Sequence, residues 1–211
     1  MKSYLIRPAG ALALALALAS CGGGDDNKFT VKGTVENLRY SPLVLQNNGG
    51  QDLTVNAVGT AGDKVTFTFP NKIEYGDVYR VTVKTNPPHQ TCEPVSNSYT
   101  DTAGRLSDID VLLACRVNEF AIGGTITGLN KDTTGLVLTN GSNTGTYTPS
   151  TAALEGDKPF TYQLPVKIPY NVTYGVTVLT QPKGRFCTVT NPSGIVGDKD
   201  IDNVNVTCVP A

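Results

Sequence analysis

Tyr79-Arg80-Val81-Thr82-Val83 and Tyr174-Gly175-Val176-Thr177-Val178 are one phrase written twice, 95 positions apart. In each, apolar residues alternate with smaller or polar ones. A period of two sends one set of side chains to a buried face and the other to solvent, as a half-buried antiparallel strand requires. Cys92 and Cys187 follow at the same spacing of 95. Upstream, Val31-Lys32-Gly33-Thr34-Val35 aligns with Ile122-Gly123-Gly124-Thr125-Ile126 at an offset of 91. Leu43-Val44-Leu45 aligns with Leu136-Val137-Leu138, and Phe67-Thr68-Phe69 with Phe160-Thr161-Tyr162, both at 93. Cys115 and Cys208 return to 93. Offsets that drift only between blocks are what loop insertions in a duplicated unit produce.

Turn chemistry separates the alternating runs: Asn47-Asn48-Gly49-Gly50, Gly76-Asp77 and Asn86-Pro87-Pro88 in the first copy. The spacing predicts strands near residues 30–36, 42–47, 52–58, 64–69, 78–85, 90–96 and 108–115. No window beyond the first 21 residues carries a helical period. The predicted fold is all-β: two tandem antiparallel β-sandwich domains of about seven strands each. Their bounds are residues 29–117 and 118–211.

The chain has five cysteines, and four fall in register between the copies. In an antiparallel pair, facing residues have a constant index sum. The midpoint of Cys92 and Cys115 falls on Ala103-Gly104, and that of Cys187 and Cys208 on Gly197-Asp198, both turn candidates. Of the three connectivities four cysteines allow, this favours Cys92 with Cys115 and Cys187 with Cys208, each pair closing the last hairpin of its own repeat. Facing residues lie at a separation a disulfide accepts. Oxidised pairs fit export through an oxidising compartment.

Cys21 is the fifth. Lys2 and Arg7 precede an apolar run, Ala9 to Ala19, too short to span a bilayer. Leu18-Ala19-Ser20-Cys21 then resembles the lipobox of bacterial lipoproteins, which implies a signal peptide over residues 1–21 and a lipidated Cys21 as the mature N-terminus. Several acyl chains would hold the protein at a membrane. Gly22 to Lys28 reads as a flexible tether. Gly22 rather than Asp after the cysteine favours the outer over the inner membrane.

Without Lys2 and Arg7, the 17 basic residues fall to 15 against 18 acidic, a net charge of −3. No basic block remains, so the electrostatic footprint of a nucleic-acid binder is missing.

The order Gly-Thr-Val, Leu-Val-Leu, Phe-x-Phe, Tyr-x-Val-Thr-Val resembles prealbumin-like and Ig-like surface modules, including the B-type repeats of bacterial adhesins. Val176-Thr177-Val178-Leu179-Thr180-Gln181-Pro182-Lys183-Gly184-Arg185-Phe186-Cys187, ending in Val204-Asn205-Val206-Thr207-Cys208, is similar to tandem repeats of proteobacterial lipoproteins and surface proteins. The resemblance spans roughly residues 29–209 and implies a fold and a surface location, with no catalytic residues. The first repeat departs from it, with Asn86-Pro87-Pro88-His89 in place of Gln-Pro-x-Gly, so that loop is predicted to differ in shape.

Candidate chemistry is sparse. His89, the only histidine, has Gly184 as its counterpart and reads as an exposed loop residue. Gly-x-Ser-x-Gly, His-Glu-x-x-His and Walker-type motifs are absent. Asp198, Asp200 and Asp202 begin like a calcium loop, but Asn203 stands where the turn glycine belongs and Val209 where the bidentate Glu belongs. Solvated turn residues are the favoured reading, with a weak calcium site as the alternative. On a regular strand those carboxylates would share the inward face of Val204 and Val206, so the strand must be interrupted there. Lys32 alternates outward, against an amide to Asp108 or Asp110 of the kind adhesin repeats form. Tyr79 and Tyr174 fall in the inward register of the valines, which favours core roles over a sugar platform.

The expectation is therefore a membrane-anchored lipoprotein with no catalytic residues, metal or cofactor. It would act as a structural or protein-interaction module of the cell envelope, with a protein or glycan partner. A glycan- or peptide-binding module using loops or sheet edges is the alternative.

Overall fold

The structure, a computed structural model, describes residues 28–59, 63–141, 145–152, 154 and 156–211. Cys21, the leader over 1–21 and all of the tether but Lys28 lie outside the described residues.

The first repeat contains β1 (Lys28–Phe29), β2 (Val31–Glu36), β3 (Leu43–Asn47), β4 (Asp52–Val55) and β5 (Val65–Thr68). It continues with β6 (Ile73–Glu74), β7 (Val78–Thr85), β8 (Gln90–Pro94), β9 (Thr100–Thr102) and β10 (Ile109–Val117). The second contains β11 (Glu119–Phe120), β12 (Gly123–Thr127), β13 (Val137–Asn140), β14 (Thr146–Tyr147) and β15 (Phe160–Gln163). It ends with β16 (Ile168–Pro169), β17 (Thr173–Thr180), β18 (Arg185–Thr190), β19 (Ser193–Ile195) and β20 (Asn205–Pro210). Each strand of the first repeat has its counterpart ten strands later. The sheets β5-β2-β10-β8 and β4-β3-β7-β9 are matched by β15-β12-β20-β18 and β14-β13-β17-β19, and the small pair β1-β6 by β11-β16.

Two four-stranded sheets per repeat enclose separate hydrophobic clusters. One runs from Val31 to Cys115, the other from Ile122 to Cys208. The alternation read from sequence is the burial pattern: in β2, Val31, Gly33 and Val35 are buried while Lys32, Thr34 and Glu36 are only partly so. Tyr79 and Tyr174 lie in the core.

The structure departs from the predicted topology in two ways. Cys92 stands opposite Cys115 and is bonded to it, as Cys187 is to Cys208. The chain between them does not form a hairpin, however. It leaves the sheet, and β9 pairs with β7 in the opposite layer before β10 returns; β19 does the same against β17. Facing register constrains which residues pair but says nothing of the path between them. The sandwiches are also not wholly antiparallel, because the first long strand of each lies parallel to the last, β2 on β10 and β12 on β20.

Glycine makes that parallel contact close. A Cβ at Gly33 would run into the Val111 carbonyl of β10 and the Phe67 ring, and one at Gly124 into the Val204 carbonyl. Gly33→Ala should therefore force the strands apart and cost about 1–3 kcal/mol, the usual penalty of overpacking. Chemical denaturation of the first repeat checks it.

Tyr162 supplies a second test. Its hydroxyl donates to the Val204 carbonyl at 2.9 Å. Burial, and secondarily the neighbouring Tyr147, push its pKa up to about 12. The folded phenol then holds its proton where an unfolded tyrosine, titrating near ~10, has lost it. Stability contributed below that range is lost as pH rises through 12. The unfolding midpoint of the second repeat should fall across this window, and Tyr162→Phe should flatten the slope.

Candidate functional site

Among the described residues, polar and aromatic contacts between the repeats gather around the turn between β7 and β8. Here the chain must adopt a left-handed conformation: φ is +61° at His89 and +70° at its counterpart Gly184. The predicted difference in loop shape is corrected by this geometry. Gln90 N–H donates to the Pro87 carbonyl at 3.4 Å, as Arg185 N–H does to Pro182 at 3.3 Å. Asn86 Oδ1 accepts from Cys92 N–H at 2.8 Å, as Gln181 Oε1 does from Cys187 N–H at 2.7 Å. The two turns share one design with different residues. Glycine adopts it freely, whereas a side chain in that region is strained by roughly 1–2 kcal/mol. A non-glycine residue held there points to a use for its side chain.

That use is contact with the second repeat. His89 is only 25% exposed, not an open loop residue. Its ring lies on that of Tyr170, with centroids 3.7 Å apart and planes 3° from parallel. Nδ1 is 2.7 Å from Asp198 Oδ1. Tyr40 meets the stack edge-on, 5.1 Å from His89 and 6.0 Å from Tyr170. Aromatic rings of opposed edge and face attract through their quadrupoles.

Each member is positioned by backbone. Gln90 is 1% exposed. Its Oε1 accepts from Arg39 N–H and Tyr40 N–H at 2.8 and 3.1 Å, and its Nε2 donates to the Asn37 carbonyl at 2.9 Å. This fixes the loop that carries Tyr40. Asn118 ties the other side: its N–H donates to the His89 carbonyl and its carbonyl accepts from Tyr170 N–H, both at 2.9 Å. Its Oδ1 accepts from the Thr91 hydroxyl at 2.8 Å. Beside the stack lies a cleft of about 570 Å³ lined from both repeats, including Arg39, Arg116, Glu119 and Asn171.

The three aspartates of the calcium-like run are divided among separate tasks. Asp198 faces His89, Asp200 Oδ1 accepts from Ala121 N–H at 2.8 Å, and Asp202, together with Asp200, lines a different cleft beside Gly123 and Gly124. The run is irregular, touching β-structure only through an Ile122–Ile201 bridge. Among the described residues no three or more His, Cys, Asp or Glu side chains gather as a metal site. Lys32 Nζ and Asp108 Oδ2 form a solvent-exposed ion pair at 2.9 Å. The hydrogen bond that the ammonium donates to that carboxylate, then the carboxylate's charge, hold it above the usual lysine range.

No family model and no curated protein sequence matches the chain. Among solved structures it is similar to the major pilin from Streptococcus pyogenes, at 11% identity over 88% of this chain and 98% of that one, with a TM-score of 0.24. A mutant form of the same pilin gives 11% identity over 86% and 96%, with a TM-score of 0.22. At scores this low nothing about role is carried over.

The junction separates two effects of one residue. His89→Gly removes the stack and the Asp198 contact while relieving the backbone. Domain melting should be unchanged or slightly raised, whereas interdomain angles, read by residual dipolar couplings or small-angle scattering, should broaden. An unchanged angular distribution would show that His89 does not hold the junction.

Proposed function

We propose that this chain is a lipid-anchored protein of the bacterial cell envelope. Its two repeats, residues 29–117 and 118–211, serve as a non-catalytic spacer or protein-interaction module. The observation that carries the reading is the clasped junction. Two sandwiches in tandem on a flexible linker would sample many angles, but His89, Tyr170, Tyr40 and Asn118 bind them into one extended unit. A stiff body is what a spacer or presenting arm needs. Anchoring is supported by Leu18-Ala19-Ser20-Cys21, with Gly22 in favour of the outer membrane. No helix among the described residues is long and apolar enough to cross a membrane.

A second reading draws on the cleft at the junction. Its walls bring Arg39, Arg116 and Glu119 around exposed backbone, a setting for a glycan or an extended peptide at the boundary between domains. A glycan or peptide array probed with wild type and Arg116→Ala tests it: a ligand lost in the variant supports this reading over the spacer.

The main test compares wild type with Cys21→Ser in intact cells, by membrane fractionation and cross-linking pull-down. Wild type should sediment with the membrane and capture its partner there, and the variant should be released. Equal retention of both removes the lipoprotein reading.

A further inference from the structure

We propose that the end of the first repeat at which the chain enters is a lipid-contacting surface, seating Tyr75, Val78 and Leu106 on the membrane. The inference rests on the lipoprotein reading above and adds an orientation to it.

Topology brings these residues to one end. Lys28 of β1 faces Glu74 of β6, next to Tyr75. The Tyr75 ring lies against Gly104, and Gly76 N–H donates to the Ala103 carbonyl at 3.0 Å. Val78 faces Thr102, and Leu106 lies in the turn that leads into β10, which starts beside the start of β2. Tyr75 is 70% exposed, Leu106 59% and Val78 58%.

The duplicate shows what this end does when it is covered. Tyr170, the counterpart of Tyr75, is stacked by His89 and edged by Tyr40, so the same pole of the second repeat is a contact surface. In the first repeat that pole carries uncovered apolar groups beside the tether.

Distance decides between occupants. Seven residues, Gly22 to Lys28, reach at most about 25 Å from the Cys21 lipid. A 90-residue repeat has a radius of gyration of about 12 Å, hence a body about 30 Å across. A second copy stacked on this pole would not fit in that gap, but a bilayer surface is already there. Tyrosine and aliphatic side chains suit the headgroup boundary. Nearby charges give no basic excess: Lys32 pairs with Asp108, Arg105 pairs with Asp101, and Lys28 stands opposite Glu74 with Asp77 close by. The seat is therefore apolar, and it should not require anionic lipid or low salt.

The chain contains no tryptophan, so Tyr75→Trp and, at the opposite end of the molecule, Phe186→Trp are each single reporters. The full chain, lipidated in a bacterial host, is reconstituted in zwitterionic vesicles containing brominated acyl chains. Tyr75→Trp emission should shift to the blue and be quenched, at high salt as at low, and Phe186→Trp should be unaffected. If protein floats with the vesicles and neither reporter is quenched, the anchor stands and the seat is wrong. Quenching of both means the molecule lies flat, which also overturns it. A concentration-dependent blue shift of Tyr75→Trp without vesicles would assign the surface to a second copy instead. Protein that does not float removes the anchor itself, and the seat with it.

Discussion

The parallel pairing of the first long strand with the last governs the architecture of each repeat. Antiparallel strands joined by tight turns return the chain to the end where it began. Here β2 and β10 run the same way, so the chain enters at one pole and leaves at the other. The contact is as close as it is because Gly33 and Gly124 have no side chain to meet the carbonyls opposite. Tandem copies with entry and exit at opposite poles can only stack end to end. The junction, the cleft beside it and the exposed Tyr75 end all follow from that.

At the junction, a local conformational cost is offset by contacts made far along the chain. His89 occupies a backbone position that its counterpart fills with glycine. What holds it there is the face of Tyr170 and the carboxylate of Asp198, with Tyr40 as a third wall. Asn118 works as the inner hinge pin, because its N–H is committed to His89 of the first repeat and its carbonyl to Tyr170 of the second. The linker is short in residues and also has its hydrogen bonds assigned.

Much of this was legible from residue order alone. Alternation along Tyr79 to Val83 and Tyr174 to Val178 identifies strands and their buried faces, because the pleat converts sequence parity into side. Duplication identifies two units. Parity does not record a strand's partner or direction, which is why the crossing of β9 and β19 to the other layer and the parallel closure were not foreseen. His89 was read as a bland loop residue for a related reason. Its partners lie 81 and 109 positions downstream, and neither carries a motif that names it. One signal was available: a histidine standing where the duplicate has glycine marks a backbone that a side chain avoids unless something holds it. The same alignment pairs exposed Tyr75 with stacked Tyr170, so differences between the copies, more than their likeness, mark the surfaces in use.

Parallel closure also sets how the molecule carries tension. A pull applied between the two ends of the molecule draws β2 and β10 past each other along their length. The ladder from Val31–Ile109 to Glu36–Ala114 is then loaded in shear, all its rungs together, and cannot be unzipped one at a time. In the second repeat β12 meets β20 only at Ile126–Val206 and Thr127–Thr207, with the Ile122–Ile201 bridge apart from them. The second repeat is thus the mechanical fuse, yielding before the first, and the Cys187–Cys208 bond limits how far it can extend.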